Sequence, residues 1–224
     1  MSQNTFKTIS YKDYVIALVY DTEPDSPREW DNLGRMAFYH GRYNLGDRKQ
    51  IDDAFALQEY LEENKGTILY LPVYMYEHGG ITIKTSPFGC EWDSGLLGYI
   101  YVSREKAHEE GIKDDSMIYD RLEDEVAIYD QYLRGDVYGY KILDKEGNLV
   151  DSCFGFYGDQ TCEDAGKEMV DYYDRTTPKQ YELDFVSHIN EYGIALDGDG
   201  NEVRQEDGSI VIIPQEHRHQ YQVI

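Results

Sequence analysis

The distribution of apolar residues between Leu71 and Ser103 predicts a β-sheet around which the rest of the chain is organised. Three runs are rich in β-branched and aromatic residues and are typical of strands: Leu71–Tyr76, Ile81–Thr85 and Leu96–Val102. Gly79-Gly80 separates the first two runs, and glycine supplies the positive φ that a two-residue hairpin turn requires. We therefore expect a hairpin here, with the third run pairing beside it as a meander.

The rest of the chain predicts helices that cover this sheet and further strands. Helices are predicted at Ile51–Asn64, Arg104–Glu110, Met117–Leu133 and roughly Cys162–Tyr173, and two or three of them are expected to cover the sheet. Apolar residues at helical spacing indicate the first and third, and the N-caps of the first three are Asp52 or Asp53, Ser103 and Ser116. Tyr14–Tyr20 predicts a central strand, Val137–Leu143 and Leu149–Tyr157 predict a second hairpin, and residues 1–10 are expected to be frayed. Since no regular βαβ spacing is present, we predict an α+β fold with a mainly antiparallel sheet.

No linker rich in Pro, Ser and Gly divides the chain. We expect one α+β domain over residues 1–178, with residues 179–224 forming a C-terminal β-hairpin extension of the same domain.

The net charge of this chain is unusual. Asp and Glu number 44 against 21 Lys and Arg, which gives a formal charge of −23. A field of this sign repels nucleic acid and anionic membranes and attracts basic partners, so direct binding to nucleic acid is not expected. The alternative is that the acidity only keeps the protein soluble or suits a salty habitat.

The cysteines and the known short motifs exclude several classes of function. Three widely spaced cysteines, Cys90, Cys153 and Cys162, predict a reduced, cytoplasmic protein, and Cys153 is expected to be a small buried hydrophobe. No apolar N-terminal signal and no run of 18 apolar residues is present, so we expect no membrane association. No nucleotide-binding, zinc-protease or hydrolase motif occurs, and we predict no cofactor and no metal.

Some residues nevertheless have catalytic or metal-binding chemistry. Cys90, His78 and Asp93 are the residue types of a thiol nucleophile with its base and orienting group, and with Asp151 they define a hypothetical hydrolase or nuclease site. Asp197-Gly-Asp-Gly-Asn201 resembles a calcium loop, but Glu202 and Gly208 stand where that loop needs Gly and Glu, which favours a hairpin turn. His217 and His219 alone would make a weak metal site.

The acidic helices carry the most informative pattern. Carboxylates three, four and seven positions apart on a helix lie about 5–6 Å apart on one face. Such a row is predicted on the third helix, from Asp120, Glu123, Asp124 and Asp130 with the neighbouring Asp114 and Asp115, and a second on the fourth helix, from Glu163, Asp164, Asp171 and Asp174. Regular negative charge of this kind is similar to that of a nucleic-acid backbone.

Several distinctive phrases carry a resemblance over about residues 15–175. They are Trp30-Asp-Asn-Leu-Gly34, Arg42-Tyr-Asn-Leu-Gly-Asp47, Thr85-Ser-Pro-Phe88 with Trp92-Asp-Ser-Gly95, Gly135-Asp-Val-Tyr-Gly139 and Asp151-Ser-Cys-Phe-Gly-Phe-Tyr-Gly158. Together they resemble a family of proteins encoded by bacteriophages and mobile elements. The resemblance implies a location in the host cytoplasm, and it implies no activity and no catalytic residue. The composition is also similar to that of acidic antirestriction proteins that mimic DNA.

These observations favour a non-enzymatic phage inhibitor that binds a host protein through its basic nucleic-acid-binding surface. A restriction or CRISPR effector is the expected target, which would make the protein an antirestriction or anti-CRISPR nucleic-acid mimic. The predicted partner-binding residues are Asp114, Asp115, Asp120, Glu123, Asp124, Asp130, Trp92 and Asp93. Two alternatives are the small enzyme with a site near His78, Cys90, Asp93 and Asp151, and a phage accessory protein whose acidity is incidental.

Overall fold

The computed structural model describes residues 4–47, 51, 53–90, 92–176, 186–204, 208–213 and 222–223. The predicted α+β class with mainly antiparallel sheets is confirmed. The strands are β1 Thr5–Tyr11, β2 Tyr14–Tyr20, β3 Arg35–Phe38, β4 Ile68–Glu77, β5 Ile81–Lys84, β6 Ser94–Ser103, β7 Val137–Leu143, β8 Leu149–Tyr157, β9 His188–Ile189, β10 Ala195–Leu196 and β11 Gln222–Val223. The helices are α1 Ala54–Glu63, α2 Arg104–Glu109, α3 Asp115–Arg134 and α4 Asp159–Thr176, and a short 3-10 helix spans Pro27–Glu29.

The central sheet has the strand order β3-β6-β4-β5. The third predicted run, β6, therefore pairs with β4 and does not follow β5 as a meander would. The reason is length, because β4 and β6 each have ten residues and pair along almost all of them, whereas β5 has four. The hairpin between β4 and β5 also differs from the two-residue turn predicted. Its loop has three residues, His78 to Gly80, and only Gly79 has a positive φ, of 74°.

Helices cover both faces of this sheet, and strand alternation decides which residues face which helix. Side chains such as Met36, Phe38 and Ile100 pack with the inward stripe of α3, which consists of Ile118, Leu122, Val126 and Tyr129. Their neighbours Ala37 and Tyr99 point the opposite way and pack against Leu57 and Leu61 of α1. Each fully buried leucine stabilises the fold by about 1.5–3 kcal/mol relative to exposure.

A second antiparallel sheet has the order β1-β2-β7-β8. β2 is an inner strand, as predicted, and its Ile16 and Leu18 are fully buried. The expectation that residues 1–10 are frayed is wrong from Thr5 onward, because β1 pairs with β2 at the edge of this sheet. The polar composition of β1 suits such an edge, since most of its side chains face solvent.

Helix α3 begins two residues earlier than predicted. Its N-cap is Asp114, whose carboxylate accepts hydrogen bonds from the backbone N–H and the hydroxyl of Ser116, each at 2.9 Å. Both Asp and Ser are good caps, and the carboxylate adds its charge to the positive end of the helix dipole. At the other end Gly135 adopts φ 72°, the left-handed conformation that ends a helix.

Contacts within the chain divide it into two units, residues 1–9 with 15–163 and residues 10–14 with 164–224. The predicted boundary near residue 178 stays a prediction. In the second unit Ile189, Ala195, Val211 and Ile213 form a small core. The carboxylate of Asp197 accepts from the backbone N–H of Asp199 and of Asn201, both at 2.9 Å, as in a tight turn.

Among the described residues, no helix is long and apolar enough to cross a membrane.

Candidate partner-binding surface

Helix α3 has two faces with different chemistry. Its inward stripe fixes it against the central sheet, and Glu125 is buried on the same side. Because successive residues turn by about 100°, Asp120, Glu123 and Asp124 lie on the opposite side, where all three are exposed. The row spans about 6 Å of helix axis, at a rise of about 1.5 Å per residue. The helix thus presents a short acidic row on a well-anchored support.

The carboxylates of this row are largely unpaired. Within the part of the chain that the structure describes, the side chains of Asp120 and Asp124 form no hydrogen bond and no ion pair. Glu123 accepts one hydrogen bond, from the hydroxyl of Thr85 at 3.3 Å. Asp120 and Asp124 are like charges four positions apart, an arrangement that costs a helix about 0.2–0.5 kcal/mol. The fold therefore gains nothing from these two charges.

The other predicted members of the row have structural contacts, so the row is shorter than the sequence indicates. Asp130 is half-buried and accepts hydrogen bonds from the hydroxyl of Thr82 at 2.6 Å and from the backbone N–H of Ile83 at 2.7 Å. It also forms an ion pair with Arg134 at 3.1 Å. Asp115 pairs with Arg104. Asp114 caps the helix, and hydrogen bonds from Ser116 hold its pKa below the ordinary value.

The acidic residues predicted as a second row on α4 are mostly engaged by lysines. Glu163 is buried and lies 2.6 Å from the ammonium of Lys7. Lys12 stands in the turn between β1 and β2, and its Nζ lies 2.8 Å from Asp171 and 2.8 Å from Asp174. Hydrogen bonds from Lys12 and Tyr11 help to lower the pKa of Asp171. These carboxylates hold elements of the fold together.

The loop that carries Trp92 begins beside the acidic row of α3. Thr85, the residue after β5, is the one that donates to Glu123. Further along, Trp92 is 96% exposed, a rare state for so large an apolar side chain. Asp93 follows it, and both line a groove of about 460 Å³ together with Arg42 and Glu77. The predicted apolar and acidic contact residues thus belong to one loop that starts at the α3 face.

The structure brings three of the four predicted enzyme residues together. Asp93 Oδ2 lies 3.4 Å from His78 Nδ1 and 4.0 Å from Cys90 Sγ. Asp93 is therefore the group that lies next to the thiol, whereas nucleophilic catalysis requires the base in that position. Asp151 lies on β8, in the second sheet and not in the central sheet whose loops carry the other three residues. This arrangement does not favour a thiol nucleophile.

The other two cysteines differ from each other. Cys153 is exposed on β8, so the expectation of a buried hydrophobe is wrong for it. Its neighbours Ser152 and Phe154 are exposed as well, and β8 is an edge strand of its sheet, a position that the local sequence does not reveal. Cys162 is buried, and burial raises the pKa of its thiol to about 12.

Sequence reasoning missed a buried ionic network that joins the two Asn-Leu-Gly phrases to α3. The side chain of Arg28 is only 6% exposed. Its guanidinium donates hydrogen bonds to both carboxylate oxygens of Asp47, at 2.9 and 2.8 Å, and to Glu125 at 3.1 Å. Glu125 also accepts from the backbone N–H of Leu33 at 2.8 Å. The one available signal was Glu125 itself, a carboxylate on the apolar stripe of α3 that required a buried partner.

Metal binding finds no support among the described residues, where no three His, Cys, Asp or Glu side chains are grouped to hold an ion. His217 and His219 lie outside the described residues.

The comparisons with known proteins give no family assignment. No family model, no curated protein and no solved structure matches this chain.

Proposed function

We propose that the protein is an acidic inhibitor that binds the basic nucleic-acid-binding surface of a host defence effector, of restriction or CRISPR type. The observation that carries this proposal is the outward face of α3, where Asp120 and Asp124 have no side-chain partner among the described residues and Glu123 has one weak contact. Carboxylates without a role in the fold are available to lysines and arginines of a partner.

The size of the row sets what it can contribute. One strand of duplex DNA carries a charge for about every 3.4 Å of axis, so a row of about 6 Å takes the place of two or three phosphates. A stable interface buries at least about 1,000 Å², far more than three carboxylates provide. The acidic row is therefore one part of the contact, which gives charge complementarity and fast association.

Apolar contact would come from neighbouring side chains. Met117 is exposed and precedes Asp120 by three positions and Asp124 by seven, which places all three along one side of the helix. Tyr119 is exposed on the adjoining side, and Trp92 stands in the loop that starts next to Glu123. Aromatic and methionine side chains are enriched at the centres of protein interfaces.

The experiment is capture from host lysate with the full chain immobilised, followed by binding measurements on the purified partner. The test variant reverses Asp120, Glu123 and Asp124 to Lys. The control variant reverses Glu59, Glu63 and Glu109, which are also exposed and make the same change in net charge.

We expect the wild type and the control to bind one nucleic-acid-processing protein, with release by high salt and displacement by DNA or RNA. The α3 variant should not bind it. Equal binding by the two variants, or a partner indifferent to both salt and nucleic acid, would refute the proposal.

A further inference from the structure

A pocket of about 410 Å³ lies between the loop that precedes β3 and the elements that pack beside it. Its wall consists of residues 30–35, Tyr60 of α1, the start of β4, the end of β6 and Lys106 of α2, all in the first unit. Arg28 and Asp47 line its inner end. A volume of this size lies within the range of small-molecule sites, about 300–1,000 Å³.

The charge of this pocket is opposite to that of the chain. Three cations line it, Arg28, Arg35 and Lys106, against the carboxylates of Asp31 and Asp47. The lining residues therefore sum to a formal charge of +1 in a protein whose net charge is −23, although Glu125 and Glu110 lie behind Arg28 and Lys106. Both oxygens of Asp47 accept from Arg28, and one also accepts from the backbone N–H of Met36 at 2.8 Å, so this carboxylate is already neutralised. The side chain of Lys106 is 44% exposed, and its ammonium lies 3.7 Å from the carboxylate of Glu110.

Aromatic side chains form the other part of the wall. Trp30 is 48% exposed, and its ring packs edge-on against Tyr157 with centroids 5.1 Å apart, which limits its rotation. Tyr60 is exposed on α1, and Tyr101 is half-buried on β6. Burial raises the pKa of Tyr101, and the charge of Arg35 acts on its hydroxyl in the opposite direction. Aromatic faces and a guanidinium thus meet at one place.

The loop that forms the pocket is held in position before any ligand arrives. The side-chain amide of Asn32 donates to the carbonyls of Pro27 and Trp30, both at 2.9 Å. The backbone N–H of Leu33 donates to the buried Glu125, and Lys106 donates to the carbonyl of Leu33 at 3.0 Å. A preformed site of this kind binds with little loss of conformational entropy.

We propose that this pocket binds a free mononucleotide, with the phosphate at Lys106 and Arg35 and the base against the rings of Trp30, Tyr60 and Tyr101. Lysine and arginine are the usual phosphate ligands, and bases stack on aromatic side chains. The net charge favours a small anion over a nucleic acid, because repulsion by the whole protein grows with the number of phosphates. The site is independent of the acidic face of α3.

The experiment is calorimetric titration of the full chain with AMP, CMP, GMP and UMP, with adenosine, inorganic phosphate and a five-nucleotide single strand as comparison ligands. The variants are Lys106→Gln and Tyr60→Ala, and the control is Lys113→Gln, an exposed lysine outside the pocket. We expect at least one mononucleotide to bind, with affinity about tenfold lower in Lys106→Gln, the loss expected for one charge-assisted hydrogen bond. Tyr60→Ala should also weaken binding, and Lys113→Gln should not.

A titration followed by NMR tests the same site in the wild type, which avoids any folding defect of the variants. The protein has two tryptophans, and the indole N–H resonance of Trp30 should shift while that of Trp92 stays, with assignment by Trp92→Phe. Absence of binding by all four mononucleotides at millimolar concentration would overturn the proposal. Equal affinity for adenosine would refute the role of the cations, and tighter binding of the oligonucleotide would refute the assignment to a free nucleotide.

Discussion

Helices α3 and α4 have the same charge and use it differently. Each contains six acidic and two basic residues. On α4, Glu163, Asp171 and Asp174 contact Lys7 or Lys12 at 2.6–2.8 Å. On α3, Asp120 and Asp124 have no such partner among the described residues. Net charge therefore does not distinguish the two helices, and neither does the number of unpartnered carboxylates, since Asp159 and Glu168 of α4 also form no hydrogen bond or ion pair among the described residues. The difference is spacing. Asp120 and Asp124 are one turn apart on one face, whereas Asp159 and Glu168 are nine positions apart on opposite sides of the helix.

The acids also differ within α3, because Glu125 has buried partners whereas the outward Asp120 and Asp124 have none among the described residues. Removal of a partner of Glu125 should have the largest effect on stability. Arg28→Met removes the cation that faces both Glu125 and Asp47. We expect the free energy of unfolding to fall by about 3–5 kcal/mol, because two mostly buried carboxylates lose their partner. Urea denaturation measures this loss.

Arg121→Met is the matched control for that variant. Arg121 lies 3.9 Å from the same Glu125, but its side chain is 54% exposed. A surface pair of this kind contributes at most about 1 kcal/mol. Equal losses in the two variants would mean that the buried network carries no special weight.

Replacement of carboxylates by amides on each helix tests the difference between α3 and α4. Asp120→Asn with Glu123→Gln and Asp124→Asn should weaken partner binding by at least about tenfold, or about 1.4 kcal/mol, and leave thermal stability unchanged or slightly higher. Glu163→Gln with Asp171→Asn and Asp174→Asn should lower the melting temperature and leave partner binding intact. Calorimetry of unfolding and of binding measures both quantities.

The two triple variants change the net charge equally, so a general charge effect would alter binding in both. Loss of binding by the α4 variant, at a temperature where it is folded, would therefore contradict the distinction between the helices.

The smallest expected effect concerns Asp114, which is acidic like the outward row but serves the helix end. Its pKa is lowered by the hydrogen bonds from Ser116, so the stabilisation is complete above the ordinary carboxyl pKa of about 3.9 and is lost as pH falls through the lower folded value. Asp114→Asn keeps a cap without this titration. Asp114 titrates over a range from about pH 5 down to about pH 2.5. Over this range, the melting temperature of the wild type should fall more steeply than that of Asp114→Asn.

Much of the fold could be predicted because local patterns decide it. The run Tyr14–Tyr20 and the second hairpin appear where the apolar pattern places them, and Ser103 caps α2 as predicted. The order of the central sheet could not be read from periodicity, since pairing of β6 with β4 depends on the lengths of strands far apart in sequence. Strand β1 was missed because an exposed edge strand has no apolar pattern.

The candidate site was predictable only in part, for a different reason. Helical spacing places Asp120, Glu123 and Asp124 on one outward face, and the structure agrees. Spacing does not reveal which carboxylates have partners from other elements, as Asp130 has in Thr82 and Ile83. The mononucleotide pocket was equally out of reach, because its cations come from Arg28, Arg35 and Lys106, which only the fold assembles.

The two faces of α3 have a consequence for how this protein can evolve. Leu122 on the inner face packs so closely that a Cβ added at Gly34 would lie 2.5 Å from its side chain, so a larger residue at Gly34 requires the packing to shift. Asp120 and Asp124 on the outer face form no side-chain hydrogen bond or ion pair among the described residues, so we expect their replacement to leave the fold intact. Substitutions at Asp120 and Asp124 are therefore compatible with folding, and under the proposed function this freedom would let the surface change together with its partner.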